Sequence, residues 1–381
     1  MVQIEELFWS LRERVDVSTS GLAALESILT NRPDDPIALY DLSLFCRRIG
    51  APDLWRSCID LAIALPHHTH EQIYRRAHAK LTLGDWSGWR DAEARVFDPE
   101  SVYLRSREVR QLRWEKESWD GKEDLTDIRL LILADGGFGD CLQMLRFIPQ
   151  LVRTARSVML GVQPELVTLV RHNFGNAISV LFRDFELPDS FDRYAWGLSL
   201  PALCGDLPPF RALTAPSVIS MPTQRDRRQV GVCWAGSSDS PRDTVRSVPI
   251  AALEPLFARD DLQCHSLQVG SRASECHRYA AILPSAERCF TFADTAEFVS
   301  ALDLVITVDT SIAHLAGAMG VPTLLLLDCE SESRWGLSST TPWYPSVHLV
   351  RQTLPGDWSS VVNDVMVALN NGNLPKPPCV R

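Results

Sequence analysis

The stretch TVDTSIAHLAGAMGVPTLLLL, from Thr307 to Leu327, constrains the fold more than any other part of the chain. The apolar run Leu302, Leu304, Val305, Ile306 and Val308 suits a buried parallel strand. Ile312, Leu315, Ala316 and Met319 then recur at helical spacing until Gly320 and Pro322 stop the helix. Strand, tight turn, short helix and second strand follow in order, with Asp309, Thr310 and Ser311 at the helix mouth. There the first backbone N–H groups and the positive end of the helix dipole favour a phosphate. The same residue types also cap purely structural helices, so the sequence alone leaves both uses open.

With 381 residues and 45% hydrophobic content, the chain can build two or three domains with real cores. Its net charge of -10 argues against a general affinity for nucleic acid, which needs a basic face. Ten cysteines, from Cys46 to Cys379, show neither a C-x-x-C pair nor zinc spacing, so reduced cytosolic thiols and no metal are expected. The N-terminus MVQIEELFWSLRERVD lacks a signal-peptide core, and no run approaches a membrane span. A cytoplasmic protein is the expectation.

The first 116 residues read as helices with an internal echo. Gly50 recurs as Gly84, Trp55 as Trp89 and Arg56 as Arg90, each pair 34 residues apart. That is the period of a tetratricopeptide repeat, in which two helices joined by a turn stack on their neighbours. Ile49, Gly50 and Ala62 fall where such a repeat wants a large residue, a turn and a small one, whereas Cys46 and Lys80 replace the usual aromatics. With a preceding helix at Leu22 to Leu29, two degenerate repeats plus caps are expected over 1–116, holding a partner or acceptor polypeptide. A plain helical bundle is the alternative.

From residue 117 the pattern changes to alternating strands and helices. An apolar strand, Ile128 to Ala134, leads into the turn DGGFGD, and Asp140 opens a helix through Leu142, Leu145 and Ile148. The turn lacks both the full dinucleotide fingerprint and the Lys-Ser or Lys-Thr ending of a P-loop. Further strands are expected at Ser157 to Gly161 and Ile178 to Leu181, with a helix from Pro164 to His172 and a Pro-rich linker from Leu207 to Pro222. Beyond it, strand and helix signals follow at Gln229 to Trp234, Ile250 to Ala258, Gln263 to Leu267, Glu275 to Ile282, Cys289 to Phe292 and Thr295 to Leu302. A doubly wound architecture binds ligands beyond the carboxyl ends of its strands, which makes the loops after Ala134, Trp234, Leu267 and Val308 candidate site walls.

Seven segments occur in a telling order: GDWSGWRDAEAR, WDGKEDLTDIRLLILADGGFGDCLQMLRFIPQL, VGVCWAG, RSVPI, SLQVG, FADTAEFVSALDLVITVDTSIAHLAGAMGVP and TPWYPSVHLVRQTLPGDW. Together they resemble glycosyltransferases of the heptosyltransferase-like family 9, in particular bacterial proteins that fuse tetratricopeptide repeats to that module. The resemblance implies an α/β GT-B fold of two facing Rossmann-like domains preceded by an all-α helical repeat domain. The expected boundaries are 1–116 for the repeats, 117–222 for the acceptor-side domain, 223–370 for the nucleotide-sugar donor domain and 371–381 for a disordered tail.

Carried over position by position, the resemblance makes Asp140 the general base on the acceptor, with Gly137, Gly139 and Gln143 on the acceptor-side loop. The structural alternative for Asp140 is an N-cap. Arg246 matches a basic position that contacts the donor phosphates, a task suited to a guanidinium, with Arg242 as a weaker partner. Asp309, Thr310, Ser311 and Ile312 match the diphosphate-binding turn through their backbone N–H groups. Trp234, Gly236 and Gln268 are expected at the base and ribose, and His314 either at the donor or as a packed core histidine. Trp343 and Tyr344 are as compatible with interdomain packing as with sugar contacts.

The implied reaction moves a sugar from a nucleoside-diphosphate sugar to an acceptor hydroxyl with inversion, without metal or other cofactor. Cationic and helix-end groups would do the work that a divalent ion performs beside a D-x-D motif; the nearest lookalike, Asp184-Phe185-Glu186, reads as surface charge. The turn ADGGFGD departs from the acidic-glutamine-glycine turn frequent in the family, and the acceptor-side domain is short, so the repeats are expected to complete an acceptor site that suits a protein or peptide better than a lipid-linked glycan, with a glycan acceptor left open. Two other classes stay open: a non-catalytic repeat scaffold with a nucleotide-sugar-binding module, and a nucleotide-sugar epimerase of the same fold.

Overall fold

A computed structural model describes residues 36–48, 52–67, 69–97, 117–182, 190–217, 226–238, 240 and 242–378. The chain divides into two units: Met1–Val102 with Asp328–Leu337 and Gln352–Asp357, and Tyr103–Leu327 with Ser338–Arg351 and Trp358–Arg381. Ile49, Gly50, the Leu22 to Leu29 stretch and Asp184-Phe185-Glu186 lie outside the described residues.

The first unit carries helices α1 (Pro36–Arg48), α2 (Pro52–Ala64), α3 (His70–Thr82), α4 (Gly88–Ala92) and α5 (Ala94–Phe97). Helix α1 packs on α2, and α3 on α4. A capping box starts α3, Thr69 and Gln72 each accepting the other's backbone N–H at 3.2 Å. Gly84 follows its end with φ 80°, a left-handed turn that any side chain would strain. Trp89 and Ala62 are buried, whereas Arg56 pairs with Asp60 on the surface. Two-helix units with a glycine turn are common to a repeat and to a plain bundle. Asp91 ties α4 to α3 through Arg76 at 2.7 Å and Lys80 at 2.8 Å. His78 Nδ1 lies 3.0 Å from Ser333 Oγ, linking α3 to the Asp328–Leu337 segment of the same unit.

The second unit is α/β with two parallel sheets. The first contains β1 (Arg129–Leu133), β2 (Ser157–Val162), β3 (Ile178–Phe182) and β4 (Arg193–Trp196), in the order β3-β2-β1-β4. The second contains β5 (Arg228–Cys233), β6 (Leu262–Ser266), β7 (Ile282–Leu283), β8 (Leu304–Val308), β9 (Thr323–Leu327) and β10 (Val347–Arg351), in the order β10-β9-β8-β5-β6-β7. Counted from its own first strand, the second sheet runs 3-2-1-4-5-6 and the first 3-2-1-4. Each therefore reverses direction once, between β1 and β4 and between β5 and β8, and crevices open at those switch points. Strands β8 and β9 are buried throughout, which is why they are continuous apolar runs rather than alternating ones.

The helices of this unit are α6 (Phe138–Met144), α7 (Ile148–Thr154), α8 (Val167–Phe174), α9 (Leu200–Cys204), α10 (Asp243–Arg246), α11 (Glu254–Phe257), α12 (Phe292–Val299), α13 (Ser311–Met319) and α14 (Trp358–Asn371). Three expectations need correction. No strand forms at Cys289 to Phe292, because Thr291 caps α12 by accepting from Asp294 N. The helix expected over Ile250 to Ala258 begins as a 3-10 turn, Ile250–Leu253, and Pro255 sits in the first turn of α11. The tail expected to be disordered from 371 continues α14 to Asn371, packs Leu374 against the core and brings Pro378 onto Gly320, where a β-carbon would meet the proline ring at 3.0 Å. Within the Pro-rich linker, Leu213 N donates to the Ala318 carbonyl at 2.8 Å.

Candidate functional site

At the β5/β8 switch point, the chain leaves β5 through Trp234 and Ala235. The Trp234 ring is fully buried and its Nε1 donates to Glu275 Oε2 at 2.9 Å. Gln268 is also buried: its Oε1 accepts from Trp234 N at 3.2 Å and Ala235 N at 2.8 Å, and its Nε2 donates to the carbonyls of Ala235 and Val269. The Trp234 ring and the Gln268 amide, expected at the base and ribose, are both turned into the protein's own packing and loop. Trp234 is core, and the Gln268 amide shapes the loop because each of its polar ends is matched to backbone.

Gly236 N then donates to Ser247 Oγ at 3.1 Å, Ser247 donates to Asp243 Oδ1 at 2.6 Å, and Arg272 donates to Asp243 Oδ2 at 2.7 Å. This chain of bonds folds the 235–247 loop back on itself. Ser247 follows Arg246 in the RSVPI segment, whereas Asp243 and Arg272 carry no motif that would single them out in the sequence. Arg242 is half-buried at the start of α10.

Arg246, at the end of α10, brings its guanidinium over Gly236, where a β-carbon would collide with Nη2, Cζ and Nε. Its Nη1 donates to the Asp309 carbonyl at 3.2 Å, and its buried Nε has no hydrogen-bond partner among the described residues. A buried donor of a cation left unmatched is costly, so this atom is poised for an acceptor from outside the chain. Thr310 caps α13, its Oγ1 accepting from Ile312 N at 3.3 Å. Asp309, Thr310 and Ser311 are half-buried, whereas the Ile312 side chain is buried and its backbone N–H is taken by the Thr310 cap. Burial raises the Cys233 thiol beneath this turn above its ordinary pKa, keeping it neutral.

At the β1/β4 switch point, Asp135 Oδ1 accepts from Leu198 N at 2.7 Å, tying the two crevice loops together. Gly136 takes φ 90°, and Asp140 Oδ2 accepts from Gly137 N at 2.8 Å, so the carboxylate caps its own turn. Gly139 faces His314 of α13, whose Cδ2 lies 2.6 Å from where a β-carbon would stand. His314 is buried, with Nδ1 3.0 Å from the Tyr344 hydroxyl. Phe138 of the same turn meets Phe292 at the start of α12, ring centroids 4.9 Å apart. Gln143 is buried one turn further along α6.

The structure thus gathers Gly236, Arg246, Asp309, Thr310 and Ser311 at one switch point, and brings Gly139 of the other, in the turn that Asp140 caps through Gly137 N, against His314. Arg146, which the motifs did not mark, joins the sheets. It donates to Pro208 O at 2.7 Å, Pro342 O at 3.0 Å and Trp343 O at 2.6 Å. Trp343 is buried and offers its carbonyl to this clamp.

Residues 270–361 match the family described as glycosyltransferase family 9 (heptosyltransferase). This stretch includes the α13 turn, His314 and Tyr344; Asp140, Trp234, Gly236, Arg246 and Gln268 lie outside it. Protein FlbA of Caulobacter vibrioides is 24% identical over 373 residues, covering 88% of this chain, and the chain spans 58% of that relative's length. Among solved structures, the E. coli heptosyltransferase WaaC with ADP superposes with a TM-score of 0.43 at 12% identity, over 64% of this chain and 99% of WaaC. The iron-containing dodecameric glycosyltransferase TibC from enterotoxigenic E. coli gives 0.44 at 12% identity, over 66% of this chain and 78% of TibC. Among the described residues no helix is long and apolar enough to cross a membrane, and no group of three or more His, Cys, Asp or Glu side chains is arranged to hold a metal.

Proposed function

We propose that the chain is a GT-B glycosyltransferase that moves a sugar from a nucleoside-diphosphate sugar to an acceptor hydroxyl, with inversion and without a metal. The observation that carries this is Arg246: a guanidinium with an unmatched buried Nε, held over Gly236 and against Asp309 at the mouth of α13. A helix end contributes about 0.3–1 kcal/mol toward an anion, and a hydrogen bond to a charged group about 1.5–3. Micromolar affinity needs about 8 kcal/mol. Contacts to sugar and nucleoside must therefore add to Arg246 and to the backbone amides around Thr310 and Ser311.

In the displacement, the acceptor oxygen attacks the anomeric carbon opposite the leaving group, and the carbon–oxygen bond to the β-phosphate breaks with its electron pair on that oxygen. Arg246 and the α13 amides stabilise the departing diphosphate. Asp140 takes the acceptor proton late, because a carboxylate is a weak base toward an alcohol until the hydroxyl acidifies in the transition state. His314, wedged against Gly139, holds the Asp140 turn at its distance from α13. A protein or peptide is the favoured acceptor, with a glycan as the alternative, and the nine free thiols among the described cysteines suit a reducing cytoplasm.

One observation favours a second reading, a non-catalytic module that binds a nucleotide sugar: Asp140 spends one carboxylate oxygen on Gly137 N–H. Asp140→Asn separates the two. An asparagine oxygen still accepts from Gly137 but has no basicity. UDP-, GDP-, ADP- and dTDP-sugars are incubated with the protein and the release of nucleoside diphosphate is followed. Release from one donor, lost in Asp140→Asn with thermal stability unchanged, supports the transferase; binding without release, equal in both proteins, supports the binding module.

A further inference from the structure

Away from the β5/β8 crevice lies a cavity of about 370 Å³, within the ~300–1,000 Å³ range of small-ligand sites. Its walls come from α6, α7 and the end of α8, from the 210–213 segment, and from Ala318 and Tyr344. Leu142, Leu145, Val152, Phe174, Phe210 and Leu213 make it largely apolar. Among the described residues its charged lining is all of one sign: Arg146, Arg153 and Arg211.

Arg146 is the informative member. Burial pulls its pKa below the usual arginine value, which means its charge is partly stripped of water. Nε and Nη1 donate to three backbone carbonyls, the Phe210 ring lies 5.6 Å away, and among the described residues no carboxylate meets the guanidinium. Arg153 and Arg211 are exposed at the rim, also without an acidic partner among the described residues. A partly desolvated cation lacking a counter-charge in an apolar chamber is electrostatically unfinished. An anion with an apolar body completes it, the head meeting the arginines and the body replacing water along the leucine and phenylalanine walls.

We infer that this cavity is a binding site for an amphiphilic carboxylate, an acid carrying an acyl-like apolar body, separate from the nucleotide-sugar crevice. Occupancy would be felt at the Asp140 turn of the β1/β4 crevice. Tyr344 lines the cavity and its hydroxyl is 3.0 Å from His314, which in turn abuts Gly139 beside Asp140. Arg146 clamps the same junction.

The test is isothermal titration of the full chain with decanoate, decanol and acetate, needing no turnover and hence independent of the transferase reading. Decanoate should bind at least about tenfold more tightly than either control, because a hydrogen bond to a charged group contributes ~1.5–3 kcal/mol and each ~1.4 is a factor of ten. Arg211→Ala should weaken decanoate severalfold, and Ala212→Trp, which fills the chamber, should abolish binding. Arg146→Met adds a further loss if it folds, and the two rim variants decide the matter if it does not. Decanol binding as tightly as decanoate, no decanoate binding, or full binding to Ala212→Trp would overturn the assignment.

Discussion

The guanidinium of Arg246 lies across Gly236 so closely that no β-carbon fits beneath it, while its Nη1 donates to the Asp309 carbonyl at 3.2 Å. Loops from two adjacent strands, β5 and β8, are thus joined by one cation at the point where the sheet order reverses. Gly236→Ala should push the guanidinium off this seat. We expect nucleotide affinity to fall about tenfold or more, the loss of one charge-assisted hydrogen bond, with little change in unfolding midpoint. Equal affinity by calorimetry would show that Arg246 does not need this position.

Gly139→Ala should act at the opposite crevice. The added carbon would stand 2.6 Å from His314 Cδ2, so either α6 or the imidazole must move. Overpacking of this kind costs about 1–3 kcal/mol. Urea unfolding should show that loss, and donor turnover should fall further than Tyr344→Phe alone lowers it. A stability equal to that of the parent protein would mean the two sheets are not in fixed contact here.

His265 gives the fold a defined acid response. The ring is buried between Gln229 Oε1 at 2.8 Å and Ser285 Oγ at 3.0 Å, and burial lowers its pKa to about 4. Since Gln229 Oε1 can only accept, Nε2 carries the proton of a neutral ring. An unfolded histidine titrates near ~6.5, so between there and about 4 the unfolded chain binds a proton that the folded chain refuses. Stability falls as pH drops through that window, by at most about 3 kcal/mol. Unfolding curves at pH 7 and pH 4.5 should converge in His265→Gln, and parallel pH dependences in the two proteins would contradict this.

In the helical unit, Asp91 holds both Arg76 and Lys80 at a half-buried position. Burial raises its pKa, but hydrogen bonds and charge from Arg76 and Lys80 outweigh that and bring it below the usual carboxylate value. Its stabilisation is present above the unfolded carboxylate pKa and is lost as pH falls through the lower folded value. Asp91→Ala should cost about 2 kcal/mol at neutral pH, read as an early unfolding transition. An unchanged transition would mean the two cations are equally content in water.

The strongest parts of the fold were legible because their burial is two-sided. β8 and β9 are dominated by buried apolar residues, and α13 between them is closed by Gly320, which takes φ 74° as a helix stop should. Strands β4 and β10 were not, being four and five residues long and lacking an unbroken apolar run. At the candidate site, glycines that admit a close approach or an unusual turn stand out in the sequence, as Gly136, Gly139 and Gly236 do. That the Trp234 ring and the Gln268 amide brace their own loop is visible only in three-dimensional burial. Asp243, Ser247 and Arg272 act through one another, and no spacing records such a relay.

The central claim, that Arg246 and the α13 turn grip a pyrophosphate, is tested most directly by calorimetric titration with UDP, GDP, ADP and dTDP and the corresponding monophosphates. One diphosphate should bind at least about tenfold more tightly than its own monophosphate, and Arg246→Ala should erase that difference. Diphosphate and monophosphate binding alike, or a preference that survives in Arg246→Ala, would contradict it.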